Sequence, residues 1–162
     1  MTAFPSQLTA LTRINFLFVV RILVALFFIV VSVDKVMSPY QNFLYVVQSY
    51  QLFPEMIEEV VARIFPWIQL FLGVFLFLGL YLKWTLRAFL LMISAFLLLI
   101  GQALARQLPL SDCGCFGGLF AMDPQNTFFL DIALWLLTVI MLRSLPATST
   151  LSLDKYFAKN EK

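Results

Sequence analysis

Cys113-Gly114-Cys115 places the chain's only two thiols one residue apart, within the stretch Ser111-Asp112-Cys113-Gly114-Cys115-Phe116-Gly117-Gly118. Three chemistries compete for such a pair. As a structural bridge it closes a loop of about three residues, for which the chain-entropy estimate gives about 1.6 kcal/mol, against about 3 kcal/mol for a loop of about fifteen. That makes a poor staple. As a metal site, paired thiolates suit zinc or copper(I), but a closed zinc site takes about four ligands. The chain has no histidine and no third cysteine, leaving carboxylates such as Asp112 and Asp123 to complete the shell, so no metal site is expected within one chain. The third chemistry is reversible thiol–disulfide exchange. Residues i and i+2 of an extended chain stand about 6.6 Å apart, at the upper edge of the roughly 4.4–6.8 Å that a disulfide spans. Closure needs a turn, which Gly114 permits at low steric cost. A ring closed over one residue stays strained and is easily reduced. The spacing favours Cys113 and Cys115 as a two-electron redox pair, with the structural bridge and the metal left open as alternatives.

The elements that must hold this pair are set by composition. Of the 162 residues 62% are hydrophobic and 12% charged, outside the range of soluble domains. Four stretches approach the roughly 20 apolar residues that cross a hydrocarbon core: Asn15–Val33, Phe65–Leu82, Leu86–Leu104 and Thr127–Leu142. Backbone satisfaction in lipid makes them helices, so the expected fold is an all-α integral membrane protein, a four-transmembrane-helix bundle. The first stretch exceeds a signal-peptide core and is followed by Asp34-Lys35-Val36-Met37 rather than a small-residue cleavage site, so it reads as a retained anchor. Between the first two spans, Ser38-Pro39 offers a cap with proline at the first helical position, and Phe43, Leu44, Val47 and Tyr50 recur at helical spacing until Pro54. The reading is a short interfacial helix, followed by a new helix from Glu55 that runs into span two with a kink at Pro66.

Orientation follows the basic residues. Arg13, Lys83, Arg87, Arg143, Lys155, Lys159 and Lys162 fall on one side. Lys35, Arg63 and Arg106 fall on the other, among the acids Asp34, Glu55, Glu58, Glu59, Asp112 and Asp123. Both termini are therefore expected in the cytoplasm and the cysteine loop, Ala105–Asn126, on the exoplasmic face. In a bacterium that means the inner (plasma) membrane, with the thiols in the oxidising periplasm. A net charge of +2 gives no footprint for nucleic acid.

Several polar residues carry two readings. Arg21 lies about five residues inside span one, where it either snorkels as an anchor or serves a function. Asp131, near the exoplasmic end of span four, is read first as half of an interfacial ion pair with Arg106. Arg106 would otherwise stabilise a thiolate in the neighbouring loop. Gln69 and Gln102 are expected near exoplasmic span ends, bonding across helices. The 18 Phe fit lipid-facing surface and helix packing, and leave a quinone site between helices open as the sole cofactor considered.

The Asp112-Cys113-Gly114-Cys115-Phe116-Gly117 core, set between a third and a fourth span, resembles the signature of the MauE family, related to the broader DoxX-like group. Arg21, Asp34-Lys35, Phe65-Pro66-Trp67, Gly73, Gly79 and Arg106 agree in order with that family. The resemblance implies methylamine utilisation or a related pathway: support for maturing a disulfide-rich periplasmic dehydrogenase subunit beside a thioredoxin-like partner. Two departures stand out. The residue three after the proline of span two, often glutamate in the family, is Gln69, and the position before the acid of span four, commonly basic, is Leu130.

The expectation is a transmembrane domain over 1–146 and a cytoplasmic tail over 147–162. Its exoplasmic Cys113 and Cys115 exchange disulfides with a thioredoxin-like protein or a disulfide-containing client, as a thiol–disulfide oxidoreductase would, with Asp112 and Arg106 tuning the thiols. The competing class is a non-catalytic integral membrane subunit or assembly factor of a respiratory or dehydrogenase complex.

Overall fold

The computed structural model describes residues 4–108 and 123–145, with side-chain surroundings from residue 16 onward. Five helices follow in order: α1 (Phe4–Met37), α2 (Tyr40–Ser49), α3 (Glu55–Leu78), α4 (Leu82–Ala105) and α5 (Pro124–Arg143). No strand occurs among the described residues. Four segments are long and apolar enough to cross a membrane: Phe16–Met37, Glu55–Leu78, Leu82–Ala105 and Pro124–Arg143. The expected four-span, all-helical chain is the one observed.

Its boundaries differ from the expected ones, for local reasons. The first span continues to Met37, so Asp34 and Lys35 belong to the last turn of α1 rather than to a loop. α3 starts at Glu55 as expected, with Glu55 and Glu58 in its first turn, and continues through Pro66 to Leu78, short of the expected Leu82. It ends where Gly79 takes the left-handed conformation (φ 68°) that a side chain would strain. Leu80 N–H then bonds back to Phe75 O at 3.0 Å, the six-to-one link of a Schellman cap. Only Gly79–Tyr81 separates α3 from α4, and Lys83 and Arg87 lie within the first two turns of α4. Pro39 precedes α2 as its N-cap, and Tyr40 is its first residue. α5 opens on Asp123 with Pro124 in its first turn, where the missing N–H leaves no bond unmade.

α1 pairs with α3 and α4 with α5, two antiparallel hairpins, while α2 leans mainly on α3. The alternation brings the end of α1, the start of α3, the end of α4 and the start of α5 to one end of the bundle, together with α2. In lipid, contact between helices rests on close fit and hydrogen bonds rather than on hydrophobic burial. Gly73 provides the fit: a Cβ there would stand 3.0 Å from Ile29 Cγ1 and 3.6 Å from Ala25 O. Phe28 of α1 meets Phe89 of α4 edge-on, centroids 4.5 Å apart, and Trp135 Nε1 of α5 donates to Ser94 Oγ of α4 at 3.0 Å.

The outward faces are largely apolar, and the interior mixes apolar side chains with polar ones. On α1 the outer stripe is Phe16, Val19, Leu23, Leu26, Val30, Val33 and Met37, all exposed. The inner stripe is Leu17, Arg21, Val24, Phe28, Val31 and Lys35, all buried. Buried positions elsewhere include Glu58, Gln69, Thr85, Thr127, Asp131 and Thr138. Such an arrangement suits lipid outside and a polar seam within.

Candidate functional site

Cys113, Cys115 and Asp112 lie outside the described residues, and what can be described is the frame that holds their loop. α4 ends as its backbone turns at Gln107 (φ 52°), Arg106 N–H bonding to Gln102 O at 3.0 Å and Leu108 N–H to Ala103 O at 3.1 Å. α5 begins where Asp123 O accepts both the Thr127 N–H (3.1 Å) and the Thr127 hydroxyl (3.2 Å). A recess of about 440 Å³ separates these ends, lined by Ala103, Leu104, Gln107, Leu108, Asp123, Pro124 and Gln125. The loop thus leaves the bundle at the end that carries α2.

Arg106 is exposed at the C-cap of α4 and makes no ion pair among the described residues. Asp131 is 4% exposed, one turn below Thr127 on the inner stripe of α5. The structure does not bring the two together as the sequence suggested, because the α4 cap turns Arg106 outward while helical register turns Asp131 inward. Arg21 is 1% exposed, with its guanidinium 5.0 Å from the Phe18 ring centre. It is a core residue of the bundle rather than a snorkelling anchor.

The polar contact that the sequence reading missed is centred on Lys35. That residue was counted with the exoplasmic loop, whereas it is 5% exposed and its Nζ donates to Gln69 Oε1 at 3.3 Å. Gln69 is 0% exposed and lies in the body of α3, not near a span end. The Lys35 ammonium stands 4.8 Å from the centre of the Phe43 ring and 5.7 Å from that of Phe96. Phe65 completes the cluster, stacked on Phe43 (6.1 Å, 28°) and edge-on to Phe96 (5.2 Å, 89°). Thus α1 supplies the cation, α3 the amide, and α2, α3 and α4 one ring each. Desolvated cation–π contacts of this kind contribute about 2 kcal/mol. Gln69 Nε2 and Gln102 Oε1 are buried and find no hydrogen-bond partner among the described residues. Against the same rings lies a wholly apolar cavity of about 60 Å³, lined among others by Phe43, Val47, Tyr50, Phe65, Phe96 and Leu99.

Register was the signal for Lys35. It is fourteen residues from Arg21 on the stripe Leu17, Arg21, Val24, Phe28, Val31, Lys35, so the apolar spacing already placed both cations on the inner face.

Among proteins of curated function and among solved structures, none matches this chain. A family model described as methylamine utilisation protein MauE matches residues 13–144, from the first helix through the cysteine loop to the end of α5. With that match covering most of its length, the chain belongs to the MauE family.

Proposed function

We propose that this protein is a membrane thiol–disulfide exchange protein that supports maturation of a disulfide-containing periplasmic enzyme, in the manner of methylamine utilisation. The observation that carries the reading is the family match over residues 13–144 in a chain whose only thiols are Cys113 and Cys115, held one glycine apart. The pair cycles between dithiol and disulfide. Oxidised Cys113–Cys115 accepts two electrons and two protons from a thioredoxin-like partner or client, whose own thiols close into a disulfide. Asp112 and Arg106 tune the thiols, with the cationic Arg106 favouring the thiolate over the thiol.

In this reading the chain lies in the bacterial inner membrane with both termini cytoplasmic and the cysteine loop periplasmic, as the distribution of Lys and Arg favours. Residues 1–146 form the transmembrane domain and 147–162 a cytoplasmic tail. α2, with exposed Tyr40 and Tyr45, rests at the membrane interface, where such amphipathic rings are favoured.

Trapping tests it. Cys115→Ser leaves Cys113 unable to resolve a mixed disulfide, and the expected result is a covalent adduct with a periplasmic protein on non-reducing gels, lost in the Cys113→Ser/Cys115→Ser variant. Absence of any adduct from either single variant, with full client maturation in the double variant, overturns the reading. Stoichiometric co-purification with a larger complex would then identify the protein as a non-catalytic subunit or assembly factor.

A further inference from the structure

We propose that the end of the bundle closed by Gly79–Tyr81 binds the head group of an anionic phospholipid, held where α4 meets α5 by Arg87 and Arg143 with Lys83 beside them. The inference owes nothing to the cysteines and rests on the membrane spans and on charge. Lys83 and Arg87 on α4 and Arg143 on α5 are exposed, and none forms an ion pair among the described residues. The acids among those residues lie elsewhere: Asp34 in the last turn of α1, Glu55, Glu58 and Glu59 at the start of α3, and Asp123 and Asp131 at the start of α5. No acid precedes Asp34 in the chain, and the segment after α5 sets two acids, Asp154 and Glu161, against three lysines, Lys155, Lys159 and Lys162. The chain thus brings no net counter-charge to this end. Four residues apart on one helix, Lys83 and Arg87 repel each other, a cost that an anion from outside relieves.

Contacts between α4 and α5 fix the depth of these groups relative to one another. Trp135 Nε1 donates to Ser94 Oγ at 3.0 Å, and a Cβ on Gly101 would stand 3.6 Å from Phe128 Cε2. Ser94 and Gly101 are seven residues apart, as are Phe128 and Trp135, so the two antiparallel helices keep step. One more step of about two turns brings Arg87 level with Leu142, the neighbour of Arg143. α4 has 24 residues and is about 36 Å long, against a hydrocarbon core of about 30 Å. Lys83, its second residue, therefore meets the head-group layer, and Arg87, one turn further in, stands at the edge of the hydrocarbon. Side chains on a helix lean toward its N-terminus, and the Arg87 guanidinium does so, 5.0 Å from the centre of the exposed Trp84 ring. Below the cations the outward surface is apolar, with Leu91 and Leu98 on α4 and Leu136 and Ile140 on α5 exposed.

Depth and charge together select the occupant. A soluble anion stays in the water above, whereas a lipid phosphate sits at the level of the Arg87 guanidinium, with its acyl chains along the apolar surface beneath. Phosphatidylcholine would add its own cation to a place that already holds three. An anionic phospholipid such as phosphatidylglycerol brings net negative charge and phosphate oxygens that match the fork of a guanidinium.

The test uses the full chain in neutral detergent, titrated with dioleoyl phosphatidylglycerol, dioleoyl phosphatidylcholine or glycerol 3-phosphate while the thermal unfolding midpoint is followed. A saturable rise is expected with phosphatidylglycerol alone. Arg143→Gln and Arg87→Gln are each expected to raise the half-saturating concentration about fivefold, whereas Arg63→Gln, an equal change of charge at the opposite end, leaves it unchanged. The concentration dependence is the readout, so a lower starting midpoint in Arg87→Gln, which loses the contact with Trp84, does not disturb it. An equal rise with phosphatidylcholine or glycerol 3-phosphate, a rise that never saturates, or equal weakening by Arg63→Gln overturns the proposal.

Discussion

The two ends of the bundle are made from the same four helices and solve different problems. At the end closed by Gly79–Tyr81, three residues join α3 to α4, and among the described residues the interior is apolar apart from Arg21, Thr85 and Thr138, with Leu17, Leu82, Leu86 and Met141 buried around them. At the end carrying α2, the connections are longer and the interior holds Lys35, Gln69, Glu58, Thr127 and Asp131 beside a cavity. A polar interior adds little to association in lipid, where a typical side-chain hydrogen bond between helices contributes about 0.6 kcal/mol. The first end is organised as a clasp, and the second gathers most of the buried polar groups among the described residues.

That contrast can be broken by substitution, starting at the seam between the two ends. Gly73→Leu is expected to cost about 3 kcal/mol or to prevent α1 from seating on α3, since even a Cβ meets Ile29 at 3.0 Å. Thermal unfolding in detergent checks it, and an unchanged midpoint would mean the α1–α3 contact is dispensable. Next is Lys35→Met, expected to cost about 2 kcal/mol because Gln69 Oε1 loses its donor inside the bundle. Adding Gln69→Leu should recover most of that loss; a double variant no more stable than the single one would uncouple the two residues.

Arg21→Met sharpens the same comparison from the other end. It is expected to lose up to about 2 kcal/mol with the contact over Phe18, yet to leave client maturation intact. Loss of maturation at full stability would show that the clasp also serves function. Thr85→Val removes the hydroxyl bond to Leu80 O (2.8 Å) that closes the α3–α4 turn, for about 1 kcal/mol. Trp135→Phe, which loses the bond to Ser94, is the smallest at about 0.6 kcal/mol, within reach only of a careful denaturation series.

The spans were legible in the sequence because lipid demands long apolar runs, and Pro39, Gly79 and Pro124 mark real element ends. Their limits were less so. Asp34 and Lys35 read as loop residues by charge, yet α1 carries them inside, since a helix continues wherever its polar groups find partners. The helix was expected from Glu55 and begins there, but Gln69 was placed too near a membrane surface because the apolar run was counted only from Phe65, whereas the whole of Glu55–Leu78 is apolar enough to span. The Arg106–Asp131 pairing failed on direction: distance along the chain gave their level in the bundle, and only the α4 cap geometry revealed which way Arg106 turns. The departure at Gln69 proved informative for another reason. Where the resemblance implies glutamate, this chain has an amide whose Oε1 accepts from Lys35 and whose Nε2 has no partner among the described residues.

The three-residue link at Gly79–Tyr81 also bears on how the protein enters its membrane. A connection this short has no slack for one helix to cross while the other waits outside, so α3 and α4 must be delivered to the bilayer as a single hairpin. Lys83 and Arg87, within the first two turns of α4, ride at its bend. Charges resist being dragged through lipid, so in the proposed orientation the bend stays on the side of synthesis and the open ends of the hairpin are the ones that cross. A turn that looks like mere economy of chain would thereby help to set, at the moment of insertion, the side proposed for the cysteine loop.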